Sequence, residues 1–257
     1  MLQKLKNIVY SASATFLPPK KECPVCGNKV YQFKPLSPSF LLNYKKYGWP
    51  YSLDDLETLN VASYECPKCG CSDRDRLYAL YFNKALSPTK TYQLLDIAPA
   101  ASLRHFLQRK SNINYRSADL FMEDVDDKVD LTNMHLYPDN WFDIFVCSHV
   151  LEHVPDDRKA MQELYRVLKP GGWGIAMVPI LLSLPETDED PTLQDVQERW
   201  RRYGQDDHVR QYAKHSFINR LQQTGFHVQE VNITDFTAQD FITYGIHPRS
   251  VLYIVSK

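Results

Sequence analysis

No stretch of the chain is long and apolar enough to cross a bilayer. Neither charge is in excess: 30 lysines and arginines stand against 31 acids, a net of -1. That balance argues against a protein that coats nucleic acid by charge alone. Recognition of one defined RNA or of a small molecule stays open. Internal repeats and low-complexity tracts are also missing. A convincing signal peptide is lacking too, because the apolar run before Ala12-Ser13-Ala14 is too short and too polar. Leu2, Leu5, Ile8, Val9 and Ala12 instead fit one face of an amphipathic helix over residues 1–19. Such a helix would pack on the body or touch a membrane surface.

What is present is a chain of 257 residues, 44% of them hydrophobic. That suffices for one large fold and a small appendage. Charge is unevenly placed. Lys4, Lys6, Lys20, Lys21, Lys29, Lys34, Lys45 and Lys46 fall in the first fifty positions, where Glu22 is the only acid. This is either a solvated surface or a docking face for an acidic partner such as RNA or an anionic lipid head group.

Four of the six cysteines form two Cys-x-x-Cys pairs, which in the expected cytoplasmic setting points to metal, not disulfides. Cys23-Pro-Val-Cys26-Gly and Cys66-Pro-Lys-Cys69-Gly are nearly one motif written twice. The spacing lets both thiolates of a pair reach one ion, and four thiolates complete a closed, structural zinc site. A redox dithiol is the competing reading. Cys71 is an alternative ligand to Cys69, which the repeated motif favours. Cys147 reads as core. An arm around residues 40–59 is expected to project between the two turns, within a module over 20–72.

From Asp73 the pattern becomes regular. Asp73 or Asp75 caps a helix carrying Leu77, Leu80, Tyr81 and Ala85. Strands are expected at 92–98, 113–118, 142–148, 173–179, 226–233 and 251–255, with helices between them. Strands alternating with helices define an α/β fold, a doubly wound and mostly parallel sheet, over 73–257.

The first strand ends at Asp96-Ile97-Ala98, and Asp119 closes the second. In a Rossmann-like sheet an acid there reaches the hydroxyls of a ribose. The turn Ala98-Pro99-Ala100-Ala101 holds no glycine. A pyrophosphate needs a glycine-rich cradle, so a nucleoside without phosphates fits better than a nicotinamide dinucleotide.

The residues Asp130-Leu131, Asn140-Trp141-Phe142-Asp143-Ile144, Ser148-His149-Val150-Leu151-Glu152-His153-Val154 and Leu164 to Gly172 resemble the class I S-adenosylmethionine-dependent methyltransferases, closely over about 90–180. The resemblance implies a Rossmann-like seven-stranded sheet and S-adenosylmethionine as cofactor. It implies Asp96, Ile97 and Ala98 beneath the methionine part, Asp119 with Leu120 at the ribose, and Asp130 with Leu131 at the adenine. Ser148 and His149 would line the methyl-transfer mouth. The sequence departs from the family in its first motif, which usually carries several glycines. Asp130 as a turn starter and His149 as a hydrogen-bonded wall residue are the plainer alternatives, and Glu152 and His153 read as orienting the following loop.

The acceptor is open among RNA, protein, glycan and small metabolite. A long insertion, 181–213, leaves the carboxyl end of a strand, where ligands bind in such sheets. Asp207, His208, Arg210 and Tyr212 lie within it. They form a candidate lid, with His208 or Asp207 as proton acceptor and Arg210 and Tyr212 holding the acceptor. The alternative is a surface segment on a non-catalytic, zinc-containing module that binds nucleic acid or protein.

Overall fold

The computed structural model describes residues 20–257, so the helix expected over 1–19 lies outside the described residues. The chain enters through a short antiparallel hairpin, β1 (Lys21–Glu22) and β2 (Lys29–Val30). Its two cysteine turns bend alike. Gly27 N donates to Cys23 O at 2.8 Å, and Gly70 N donates to Cys66 O at 2.9 Å. Both glycines are left-handed, at φ 70 and 75, a conformation that strains any other residue. Helix α1 (Pro38–Tyr47) lies between the turns, started by Ser37 and Pro38 and ended by left-handed Gly48.

Helix α2 (Asp73–Ala85) follows the second turn. Ser72 is its cap: Asp75 N donates to Ser72 Oγ, and Ser72 N donates to Asp75 Oδ2. The two bonds are the reciprocal pair of a capping box, so Asp75 completes the cap and Asp73 is left for another task. Asp73 is buried and accepts from Asn60 N.

Arg76, on α2, joins the cysteine module to the rest. It is fully buried and pairs with no carboxylate among the described residues. Its guanidinium instead donates to the carbonyls of Ser63, Tyr64 and Cys71 in the module, and of Tyr244 and Gly245. The last two end helix α7 (Ala238–Tyr244). The Phe33 ring centroid lies 3.8 Å from this guanidinium, a cation–π contact in a desolvated place.

The core is a seven-stranded sheet of β3 (Tyr92–Ile97), β4 (Ile113–Asp119), β5 (Asp127–Lys128), β6 (Phe142–Ser148), β7 (Leu168–Met177), β11 (His227–Val231) and β12 (Leu252–Ser256). Their spatial order is β5-β4-β3-β6-β7-β12-β11, and only β12 runs against its neighbours. This is the expected Rossmann-like, mostly parallel sheet. Ile144 to Cys147 are all buried, as a central strand covered on both faces requires. Helices α3 (Ala101–Gln108), α4 (Asp157–Val167) and α6 (Lys214–Thr224) cover it. Asp156 caps α4 through Lys159 N, as read from the sequence, and Met161, Leu164, Val167 and Leu168 are buried.

The insertion is built, not loose. Strand β10 (Arg210–Ala213) lies between β8 (Ile180–Leu181) and β9 (Asp188–Glu189) in a second small sheet, and α5 (Val196–Tyr203) precedes it. The arm does not project between the cysteine turns. Its helix α1 packs on α5. Tyr44 stacks on Trp49 at 4.3 Å between ring centroids, and Tyr47 stacks on Trp200 at 5.2 Å. A projecting arm would leave those rings in water and forfeit their burial.

Candidate active site

The strand order reverses between β3 and β6, and a ligand crevice forms outside the carboxyl ends there. Asp96 is buried and accepts from Tyr115 Oη at 2.8 Å. Burial pushes its carboxyl up to about 7, against the pull of that hydrogen bond. Ala98 sits at φ 51, so the turn keeps the left-handed bend that glycine commonly takes, at roughly 1–2 kcal/mol for an alanine. Asp119 Oδ1 accepts from the amides of Phe121 and Met122, each at 2.6 Å. Oδ2 has no hydrogen-bond partner among the described residues. Leu120 and Phe121 beside it are 48% and 82% exposed, an apolar shelf at the edge of the crevice.

Asp130 starts a turn, its Oδ1 accepting from Thr132 N and Oγ1 at 2.8 Å. Leu131 is buried in the core. Ser148 closes β6 and shares a 2.8 Å hydrogen bond with Tyr78 Oη of α2. His149 follows at φ 57, left-handed and uncommon for a side chain of this size.

On the other side of His149 is a cavity of about 270 Å³. Its walls come from the arm (Tyr44, Trp49), from the turn after β6 and from the insertion. His149, Glu152, His153 and His208 line one side of it, with Asp207 beside His153. His149 Nδ1 is 3.2 Å from Glu152 Oε1, and His153 Nδ1 is 3.2 Å from Asp207 Oδ2. His208 Nδ1 is 3.2 Å from the carbonyl of Tyr203. Burial pushes the His208 imidazole down to about 4, so it is neutral at pH 7. Arg74 also lines the cavity and makes no ion pair among the described residues.

The structure thus brings together His149, Asp207 and His208, the three candidate catalytic residues. It adds Glu152, His153 and Arg74, which sequence reasoning did not place at a site. The adjacent Glu-His of the turn was a visible signal, but nothing in the spacing showed that His208 would come to meet it.

The roles expected for Arg210 and Tyr212 are corrected. Both are buried. Arg210 donates to the carbonyls of Leu151, Val154 and Pro155 and pairs with Glu189 at 2.9 Å. Tyr212 Oη donates to Asp157 Oδ2 at 2.5 Å, and Arg220 pairs with the same carboxylate. With their polar atoms committed to the protein interior, neither reaches an acceptor. Asp157, read as a cap, is an anchor of this network.

The sulfurs of Cys23, Cys26, Cys66 and Cys69 lie within 4.8 Å of one another. Cys71 Sγ is 3.4 Å from Cys23 Sγ, so a fifth thiol adjoins the cluster. Backbone geometry separates it: Cys23 N donates to Asn28 O, and Cys66 N donates to Cys71 O. Cys71 therefore occupies the position that Asn28 holds in the first turn. Cys147 is buried in β6.

Residues 79–176 match the family model described as a methyltransferase domain. The match lies on β3 to β7, the parallel part of the sheet. Over 36 residues the chain is 56% identical to a ubiquinone/menaquinone biosynthesis C-methyltransferase of Hydrogenovibrio crunogenus, covering 14% of each chain. Over 75 residues it is 36% identical to an uncharacterized methyltransferase of Bacillus subtilis, covering 29% of this chain and 27% of the other. The matches therefore span only a small part of these relatives' length. A solved S-adenosylmethionine-dependent methyltransferase from Archaeoglobus fulgidus aligns with a TM-score of 0.46 at 15% identity, over 72% of this chain and 91% of that one.

The interior placement of Arg210 has a direct check. Arg210→Leu should lower unfolding stability by about 3 kcal/mol or more, because it leaves Glu189 and three buried carbonyls without their partner. Denaturant unfolding measures this. Unchanged stability with lost activity would return Arg210 to the acceptor.

Proposed function

We propose that the protein is an S-adenosylmethionine-dependent methyltransferase whose acceptor enters the cavity between the arm and the insertion. One observation carries the reading: an Asp119 oxygen without a hydrogen-bond partner among the described residues stands, beside the apolar Leu120 shelf, at the crevice of a methyltransferase-type sheet. They suit the ribose and base of a nucleoside, and the glycine-free turn suits one without phosphates. Asp96, Ile97 and Ala98 would lie under the methionine end, with Ser148 and His149 toward the acceptor. Asp130, with one oxygen in its turn, has the other for the adenine amine. Leu131 supports that turn from the core. Arg74, a cation with no ion pair among the described residues, suits a carboxylate of cofactor or acceptor.

The bound cofactor supplies a methyl group activated on a sulfonium. The protein's work is alignment, which can account for most of the acceleration. Where the acceptor begins protonated, the cluster of His149, Glu152, His153, Asp207 and His208 receives the proton. Asp207 is tied to His153 and so orients that ring. A purely binding role is disfavoured by the number of titratable groups that converge on the cavity. The acceptor stays open among RNA, protein, glycan and small metabolite. Nucleic acid is compatible with the local lysines, though not implied by net charge. No helix of the described residues is long and apolar enough to cross a membrane, in keeping with the cytoplasmic setting expected from the cysteine usage.

Asp119→Ala should weaken S-adenosylhomocysteine binding by about 1.5–3 kcal/mol, the range for hydrogen bonds to a charged group, with the fold intact. Calorimetry showing unchanged affinity would contradict the ribose assignment.

The cysteine cluster holds, on the same reading, one structural zinc through Cys23, Cys26, Cys66 and Cys69. Thiol modification should release about one zinc per chain, as one four-ligand site requires. Cys71→Ser should retain that zinc and Cys69→Ser should lose it. The reverse pattern would make Cys71 the ligand.

A further inference from the structure

We propose that Glu152, His153 and His208 bind a divalent transition-metal ion in the wall of the acceptor cavity, separate from the cysteine cluster. One ligand atom from each lies within 4.8 Å of the others. Glu152 and His208 are only 1% and 2% exposed. Yet Glu152 Oε2 and His208 Nε2 complete no hydrogen bond among the described residues, and Glu152 Oε1 has His149 Nδ1 at 3.2 Å without hydrogen-bond geometry. Buried polar atoms are seldom left so, and a buried carboxylate calls for a matching positive charge.

Both imidazoles are prepared for a ligand. His208 Nδ1 faces the Tyr203 carbonyl at 3.2 Å, which places its proton on Nδ1 and leaves the lone pair on Nε2. His153 Nδ1 faces Asp207 Oδ2 at 3.2 Å, leaving its Nε2 in the same state. A carbonyl or carboxylate behind the ring is the arrangement that fixes tautomer and orientation in metal-bound histidines. The two rings stand 4.6 Å apart and nearly perpendicular, at 87°. The backbone holds the two segments in register, with Val209 N donating to Glu152 O at 2.9 Å.

Two imidazoles and one carboxylate are a donor set for zinc or iron(II) that leaves coordination positions open. All three residues line the cavity, so the open positions face into it. A divalent ion beside Arg74 offsets the carboxylates of Glu152 and Asp207, and Glu57, which also lines the cavity, is paired with Lys214. The ligand class is therefore an anionic oxygen donor, a carboxylate or an ionised hydroxyl. That this donor is the methyl acceptor rests on the methyl-transfer reading above. The assignment takes His208 out of the proton-acceptor role and leaves that role to His149.

The test uses the full chain with its cysteine-bound zinc in place. Weaker metal is removed with a mild chelator and cobalt(II) is titrated in. The expected result is one further equivalent with weak visible bands and no thiolate charge-transfer band. Glu152→Gln, His153→Ala and His208→Ala should each weaken cobalt binding at least about tenfold, since even partners behind the ligands are worth 10–100-fold. Asp207→Asn should act in the same direction. Retention of the cysteine-bound zinc and an unchanged thermal midpoint verify folding of each variant. His153→Ala, at a half-buried position, is the variant least dependent on packing. No further equivalent, or cobalt binding that survives His153→Ala and His208→Ala, would overturn the site, as would a thiolate band showing that cobalt went to the cysteines. S-adenosylhomocysteine binding, measured on the same protein, is independent of this result. Its loss would remove the methyl-transfer reading and leave the metal site standing.

Discussion

The guanidinium of Arg210 is the constraint on which the candidate site depends. It gathers the carbonyls of Leu151, Val154 and Pro155 and the carboxylate of Glu189 around one buried charge. The turn that carries His149, Glu152 and His153 is thereby held against the strand whose approach carries Asp207 and His208. Without it, two chain segments more than fifty positions apart would be left to Val209 N on Glu152 O, the Tyr212–Asp157 contact and the more exposed His153–Asp207 pair. A planar fork with five donors suits this task and a lysine would not, because the acceptors surround it on several sides. Removing one partner of such a network costs far more than the net worth of any of its bonds.

A second buried arginine does comparable work at the other end of the chain. Arg76 binds the cysteine module to the end of α7 through hydrogen bonds to carbonyls, with the Phe33 ring against its guanidinium. The module and its arm thus become one wall of the cavity, and they are not a separate appendage. The stacked rings of Tyr44, Trp49, Tyr47 and Trp200 continue that wall onto the insertion. A structural metal in the cysteine cluster would then act on the cavity at a distance, by fixing the arm that forms its wall.

The sheet was legible in the sequence because buried parallel strands are nearly continuous apolar runs, as Phe142 to Ser148 shows. The cysteine cluster was legible for a similar reason: two matched local motifs need no knowledge of the fold. The cavity was not. Arg210 and Tyr212 looked like acceptor ligands because a charged and a hydroxyl side chain in a long insertion usually face solvent. Sequence carries no sign that Leu151, Val154 and Pro155 would turn their carbonyls toward them. Glu152 and His153 were visible as a pair, but their partner His208 arrives from a distant segment through an insertion with its own small sheet. Long-range convergence of this kind leaves no local periodicity. The arm's aromatic residues signal burial without naming the surface that buries them.

Transfer of a labelled methyl group tests the central claim most directly. The purified chain is incubated with labelled S-adenosylmethionine and a cell extract separated into RNA, protein, glycan and small-molecule fractions. The account predicts label in one fraction, reduced at least about tenfold by His208→Ala, the effect of losing roughly 1.4 kcal/mol of transition-state stabilisation. Absence of label from every fraction, in a protein that binds the cofactor, would contradict it and leave the cavity a binding site.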